Sequence, residues 1–275
     1  MKQISILGCG WLGLPLAKSL LEKGFSVKGS TTSLEKISIL EKVGITPFKI
    51  SLFEDKIEGE MHLFLENSEI LIVDVPPKLR GDSKENFISK VQNLIPFIEQ
   101  SSVKKLIFVS STSVYADDTS TAINVTELDK PQPSTESGKQ LLETEQLLQS
   151  NKNFKTTILR FGGLIGKDRH PVKFLAGRKN IENPEAPINL IHQIDCIGII
   201  KKIIKEDCFN EIFNAVTPFH PTRKEYYSQK AMELNLPLPE FDESKTSIGK
   251  TILSDKIASV LNYEFKNKPS VFLNT

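Results

Sequence analysis

The pattern Gly8-Cys-Gly10-Trp-Leu-Gly13 follows directly on Lys2-Gln-Ile-Ser-Ile-Leu-Gly8, which reads as a buried strand, and it leads into Leu12, Leu16, Ala17, Leu20 and Leu21, which recur at helical spacing. No other stretch constrains the chain as strongly. The first glycine permits a tight turn, the second lets a ligand approach the backbone, and the third lets helix and strand pack closely. Pro15 is tolerated because it falls in the first helical turn, where its amide would have no intrahelical partner, and Gly24 marks the stop. A strand, a glycine turn and a helix in this order present free amides and the positive end of a helix dipole to an anion.

The alternation continues. Phe25–Ser30, Thr46–Ser51, Ile70–Val75, Lys104–Ser110, Thr156–Phe161 and Ile212–Val216 read as strands. Thr32-Ser-Leu-Glu35 reads as a capping box opening a helix. Phe87, Ile88, Val91, Leu94 and Ile95 mark a helix that Pro96 kinks or ends, and Ser134–Gln149 and Asp195–Lys205 are further helices. Strands alternating with helices predict an α/β fold, a doubly wound parallel Rossmann sheet with a small C-terminal α/β substrate lobe. The Gly-, Pro- and Lys/Arg-rich segment 162–187 carries little regular pattern, and short helices alternate with loops from Thr222 onward. The expected Rossmann domain covers 1–168, with 188–217 returning to it. The expected substrate lobe covers 169–187 and 218–275, with the substrate in the cleft between the two.

Composition removes several function classes. Over 275 residues the formal net charge is +1, which is no footprint of a nucleic-acid binder. No run approaches the roughly 20 apolar residues of a membrane span. Cys9, Cys196 and Cys208 are too scattered for a disulfide framework or a zinc site, and His62, His170, His192 and His220 are equally dispersed, so no metal is expected. The first strand follows Met1 at once, leaving no room for a signal peptide, and a cytoplasmic location is expected. The expected partner is a small-molecule substrate, with no nucleic acid and no membrane.

In its strand–helix context the glycine turn predicts a nicotinamide dinucleotide, with the pyrophosphate against Gly8, Gly10, Trp11, Leu12 and Gly13. Enzymes that use NAD commonly end the second strand with an acid that holds the adenine ribose. This chain has Lys28-Gly-Ser30-Thr31-Thr32 and no carboxylate before Glu35. NADP is therefore expected in preference to NAD, its extra phosphate held by Ser30, Thr31, Thr32 and the nearby Lys28 and Lys36. The alternative is that Thr32 only caps a helix and the lysines are solvated. Asp74, Val75 and Pro76, ending the fourth strand, are also expected at the cofactor, unless Asp74 merely binds loop amides.

Three further stretches carry a family resemblance. They are Phe108-Val-Ser-Ser111-Thr-Ser-Val-Tyr115, the segment from Pro131 through Thr135 and Lys139 to Glu143, and Leu159-Arg160-Phe-Gly-Gly-Leu-Ile-Gly166 followed by Asn189-Leu-Ile-His192-Gln-Ile-Asp195. In order and spacing they cover nearly the whole chain, which resembles the extended short-chain dehydrogenase/reductases, the family of UDP-glucose 4-epimerase and nucleotide-sugar dehydratases. The resemblance implies that Ser111 hydrogen-bonds the reacting oxygen. It implies that Lys139 holds the nicotinamide ribose and favours ionisation of a tyrosine one helical turn earlier. Thr135 stands in that tyrosine's place. An aliphatic hydroxyl can hydrogen-bond but does not trade a proton near neutral pH as an activated phenol does. Thr135 and Lys139 are still expected on one helical face.

The pattern is similar to the atypical YeeZ-like branch of that family, whose members are described as epimerase/dehydratases. Water, His170 or Tyr115 remain as candidate proton carriers, with a structural role expected for Tyr115 and for His192. Lys167, Arg169, Lys173, Arg178 and Lys179 crowd the loop that enters the small lobe and suggest an anionic substrate, the alternative being a solvated basic loop. Two functions stay open. One is an NAD(P)-dependent oxidoreductase or epimerase acting on a small polar carbonyl, an alcohol or a nucleotide-sugar; the other is a non-catalytic, cofactor-sensing dinucleotide binder. Extended members are often dimers, so the resemblance also implies a homodimer.

Overall fold

The computed structural model describes residues 2–77, 79, 85–117 and 123–267. Its central sheet is built from Gln3–Leu7 (β1), Ser26–Thr31 (β2), Thr46–Lys49 (β3), Ile70–Val73 (β4), Lys105–Ser111 (β5), Lys155–Phe161 (β6) and Ile212–Ala215 (β7). All seven pair in parallel, in the order β3-β2-β1-β4-β5-β6-β7. The central strand β4 is apolar and buried throughout because both its faces are covered. Along β4 the side chains alternate. Ile70 and Ile72 enter one core with Leu16 and Leu20 of α1 (Gly13–Leu21), while Leu71 and Val73 enter the other with Phe87 and Val91. The strand order reverses between β1 and β4, so a crevice opens beyond their carboxyl ends. Residues 8–13 follow β1 there, and Asp74, Val75 and Pro76 follow β4.

Several local expectations need correction. The Thr32 capping box does not form. Helix α2 (Glu35–Lys42) starts after Leu34 with no side-chain cap, and Thr31 Oγ1 instead accepts the Ser33 amide at 3.2 Å. This local turn competes with the cap, and Thr32 is left exposed. After α3 (Met61–Leu65), the helix before β5 is two helices, α4 (Phe87–Gln92) and α5 (Ile95–Glu99). Pro96 lies in the first turn of the second, where its missing N–H costs nothing.

Helix α6 (Glu136–Ser150) links β5 to β6. Beyond β6, segment 162–187, expected to carry little regular pattern, contains Gly163–Ile165, paired in parallel with Leu190–His192, and the short helix α7 (Val172–Leu175). These pack with α9 (Arg223–Glu233) around Val172, Ile188, Leu190 and Tyr226, and this third core is the small lobe. At the end of the chain, Ile257 and Leu261 of α10 (Asp255–Leu261), with Tyr263, pack into the main core. The buried Asp195, in the first turn of α8 (Gln193–Lys205), requires donors. It receives the Tyr263 hydroxyl at 2.9 Å and the Lys266 and Asn267 amides at 2.8 and 3.1 Å. Among the described residues no helix is long and apolar enough to cross a membrane, and no His/Cys/Asp/Glu group is arranged to hold a metal.

Candidate dinucleotide and substrate site

The three glycines of the turn do different things. Gly8 has φ +108°, and a Cβ there would lie 2.3 Å from the Asp74 carbonyl oxygen; at Gly13 it would lie 2.1 Å from the Gly8 carbonyl oxygen. These two hold the turn and the close packing. A Cβ on Gly10 would meet nothing within 4 Å, so a ligand can rest against this backbone. The Cys9 amide donates to Ser30 O at 2.7 Å, the Gly10 amide to Gly8 O at 2.8 Å, and the Gly13 amide to the Asp74 carboxylate. The Trp11 and Leu12 amides have no partner among the described residues. Two free donors at a helix N-terminus, under an open glycine, fit a pyrophosphate.

A cleft of about 430 Å³ extends from Gly8 and Gly10 past Thr31, Thr32, Lys36 and Asp74 to Pro76. Ser30 lines it but is buried, and its Oγ accepts the Gly8 amide at 2.9 Å, so it braces the turn. Lys28, expected at the cofactor phosphate, is committed elsewhere. Its ammonium donates to the Leu63 and Glu66 carbonyls at 2.5 and 2.8 Å, at the end of α3, and lies over the Phe48 ring. Thr32 and Lys36 are exposed polar groups lining the cleft. Asp74 binds a loop amide, one of the two roles expected for it. Burial pushes its pKa up to about 7, against the opposing Gly13 N–H and the Arg169 charge.

A second cleft, of about 580 Å³, lies between the sheet and the small lobe. Ser111 ends β5 and lines this cleft, and its Oγ accepts the Ser113 amide at 3.2 Å, which leaves the O–H to donate. Arg169 is the one residue of the five-member basic cluster on its wall. Lys179 is paired with Glu240 at 3.1 Å, away from it. Arg223 and Lys250, remote in sequence, complete the basic lining, with Lys250 donating to Asp117 and to the Tyr115 carbonyl at 2.6 Å each. Nothing local in the sequence marks either, because tertiary packing of the small lobe brings them there.

Tyr115 has the structural role expected for it. Its hydroxyl donates to Asn214 Oδ1 at 3.0 Å and accepts from Arg160 Nη1 at 2.6 Å, and Arg160 is in turn paired with Glu145 in a buried ion pair at 2.6 Å. Burial pushes the phenol's pKa up. His192 caps α8, its Nδ1 accepting the Ile194 amide at 3.2 Å.

His170 does not fit general acid/base work. Its Nδ1 accepts the Val172 amide at 3.2 Å, so Nε2 carries the proton and donates to Tyr226 Oη at 2.9 Å. The ring stacks on Tyr226, and burial, with Lys230 nearby, pushes its pKa down to about 4. Thr135 is the N-cap of α6, its Oγ1 accepting the Gly138 amide at 3.1 Å and its carbonyl accepting the Lys139 amide at 3.0 Å, so the two residues stand one turn apart while the threonine hydroxyl is committed to the cap. Gly138 brings α6 against the turn after Ser111, since a Cβ there would lie 2.3 Å from the Ser113 carbonyl oxygen. Lys139 is exposed, and its ammonium has no partner among the described residues.

Comparison with known proteins agrees with this geometry. The model of a family described as NAD(P)H-binding matches residues 8–189. Protein YeeZ of Escherichia coli strain K12 is 34% identical over 268 residues, covering 97% of this chain and 96% of that one. Two solved structures share the fold at low identity. A short-chain dehydrogenase/reductase superfamily protein from Agrobacterium tumefaciens with bound NAD has TM-score 0.78 at 14% identity, covering 97% of this chain and 93% of the other. UDP-glucuronic acid 4-epimerase from Bacillus cereus in complex with NAD has TM-score 0.79 at 16% identity, with the same two coverages. The open glycine turn with its two free amides thus lies within a match covering most of the chain: this protein belongs to the NAD(P)H-binding family, on the branch that includes YeeZ.

Proposed function

We propose that this protein is an NAD(P)-dependent oxidoreductase or epimerase that prefers NADP and acts on a hydroxyl or carbonyl of a small anionic substrate, such as a nucleotide-sugar. The observation that carries this reading is the pairing of two clefts at the carboxyl ends of one sheet. One starts at Gly8 and Gly10, in the glycine turn that carries the free Trp11 and Leu12 amides, and the other is lined by Ser111.

A bound nicotinamide supplies hydride donation or acceptance. The chain's own residues supply the rest. The Trp11 and Leu12 amides hold the pyrophosphate, Thr32 and Lys36 face the 2′-phosphate, and Lys139 serves the ribose. Ser111 donates to the substrate oxygen, and Arg223 draws the anionic group. With Tyr115 and His170 engaged in packing, a cleft water carries the proton.

Mass spectrometry of ligands released from the purified protein, followed by absorbance assays of NADPH for net redox turnover and by NMR of the products for epimerisation, with sugar nucleotides and simple carbonyls, tests this. Expected are a bound dinucleotide and a turnover that Ser111→Ala lowers about 10²-fold or more, the scale of losing a hydrogen bond to the reacting oxygen. A dinucleotide-bound protein inert toward the whole panel would favour the non-catalytic sensor.

A further inference from the structure

Trp11 is the sole tryptophan of the chain, and the loop entering the small lobe holds it on several sides. Its Nε1 donates to Asp168 Oδ1 at 2.9 Å, and the Arg169 guanidinium lies over the ring, 5.1 Å from its centroid. Gln193 Nε2 donates to the Trp11 carbonyl at 2.6 Å. Gly166 makes the approach possible, since a Cβ there would come 2.7 Å from indole Cζ2. A tight turn, closed by Gly166 N–H to Arg169 O at 2.8 Å and Arg169 N–H to Gly166 O at 3.2 Å, sets Asp168 and Arg169 against the indole.

The Arg169 guanidinium has no hydrogen-bond or ion-pair partner among the described residues, although a guanidinium has five N–H donors to place. It is exposed on the wall of the substrate cleft, and its charge reaches Asp74 beside the glycine turn. The residue it covers, Trp11, is one of the two that offer a free amide at the anion site. A cation without an acceptor, held by its stacking beside those amides, is placed for an anion not yet there.

We propose that Arg169 is a cofactor-positioning residue: carried on the substrate-side loop, it pairs with the dinucleotide pyrophosphate held by the Trp11 and Leu12 amides. Cofactor binding thereby fixes the 166–169 turn, whose Arg169 walls the substrate cleft, and precedes substrate binding. The inference rests on the dinucleotide reading above and moves Arg169 from the substrate to the cofactor.

The test uses the sole tryptophan as reporter, with calorimetry alongside. Wild type, Arg169→Ala and Arg169→Lys are titrated with NADP⁺, ADP-ribose and 2′,5′-ADP. The first two carry a pyrophosphate, and the third has a lone 5′-phosphate in its place. NADP⁺ is expected to change Trp11 emission in the wild type. Arg169→Ala is expected to raise the dissociation constants of NADP⁺ and ADP-ribose about ten-fold or more, the scale of a charge-assisted hydrogen bond, while shifting 2′,5′-ADP less than about two-fold. Arg169→Lys is expected to fall between, because an ammonium keeps the charge but not the paired donors. Unchanged constants in Arg169→Ala, or equal losses for all three ligands, would overturn the proposal. A wild type that binds none of the three would overturn the dinucleotide reading, and this one with it.

Discussion

Asp74 accepts the Gly13 amide next to the free amides of Trp11 and Leu12, and its pKa is pushed up from 3.8 to about 7. A raised carboxyl pKa means that the folded state holds this proton more tightly than the unfolded chain. The associated stability is complete below the unfolded value and is lost as pH rises through about 7. Ionised Asp74 also repels a pyrophosphate on the neighbouring amides. Dinucleotide affinity is therefore expected to fall as pH rises from about 6 to about 8, and Asp74→Asn, which keeps an acceptor for Gly13, should flatten that slope. Calorimetric titration across this range checks it; equal slopes in the two proteins would place the titrating group elsewhere. The glycines give a second contrast. Gly10→Val should fold with near wild-type melting yet bind no dinucleotide, because its side chain enters open ligand space. Gly13→Ala should instead lower the melting temperature, because its Cβ meets backbone.

At the scale of single elements, Thr135 shows how a position taken for chemistry can be structural. Its hydroxyl satisfies the Gly138 amide at the start of α6. Replacing a capping threonine costs about 0.5–2 kcal/mol, so Thr135→Tyr should lower the melting temperature by a few degrees while leaving dinucleotide affinity unchanged. Scanning calorimetry with and without NADP⁺ measures both, and Thr135→Ser should restore the wild-type value. Elements whose signals are local were legible in the chain: β1, α1 and β4 declare themselves by periodicity and glycine placement. Elements set by competition or distance were not. Thr32 loses its cap to the Thr31 turn, Pro96 opens a helix instead of closing one, and Gly163–Ile165 is a strand only because Leu190–His192 lies beside it. The site divides the same way. The glycine turn was readable in order along the chain. Lys28 could not be separated from Lys36, because what commits Lys28 is the end of α3, 35 and 38 residues away.

The whole molecule responds to whichever dinucleotide fits, because a ligand that binds only the folded state raises its stability by mass action. At a hundred-fold excess over its dissociation constant the gain is about 2.7 kcal/mol. For a chain of this size that corresponds to a rise in melting temperature of about 5–10 °C. Both core layers of the sheet share this gain, since the glycine turn joins β1 to α1 in one and Asp74 follows β4, which supplies side chains to both. The rise therefore reads cofactor preference without needing a substrate. At equal concentration NADP⁺ should raise the wild-type melting temperature more than NAD⁺ does, because Thr32 and Lys36 lining the cleft favour an extra phosphate. Lys36→Ala should diminish the NADP⁺ shift and leave the NAD⁺ shift alone. Thr32→Asp should reverse the order, because a carboxylate there repels the 2′-phosphate and accepts the ribose hydroxyls of NAD. Thr32 is the position for this substitution, and Ser30 is not, because an acid at Ser30 would be buried and would displace the hydroxyl that accepts the Gly8 amide. Ser30→Asp should accordingly lose stability with either cofactor. A wild type stabilised more by NAD⁺ than by NADP⁺ would refute this assignment of Thr32 and Lys36 while leaving the pyrophosphate site intact.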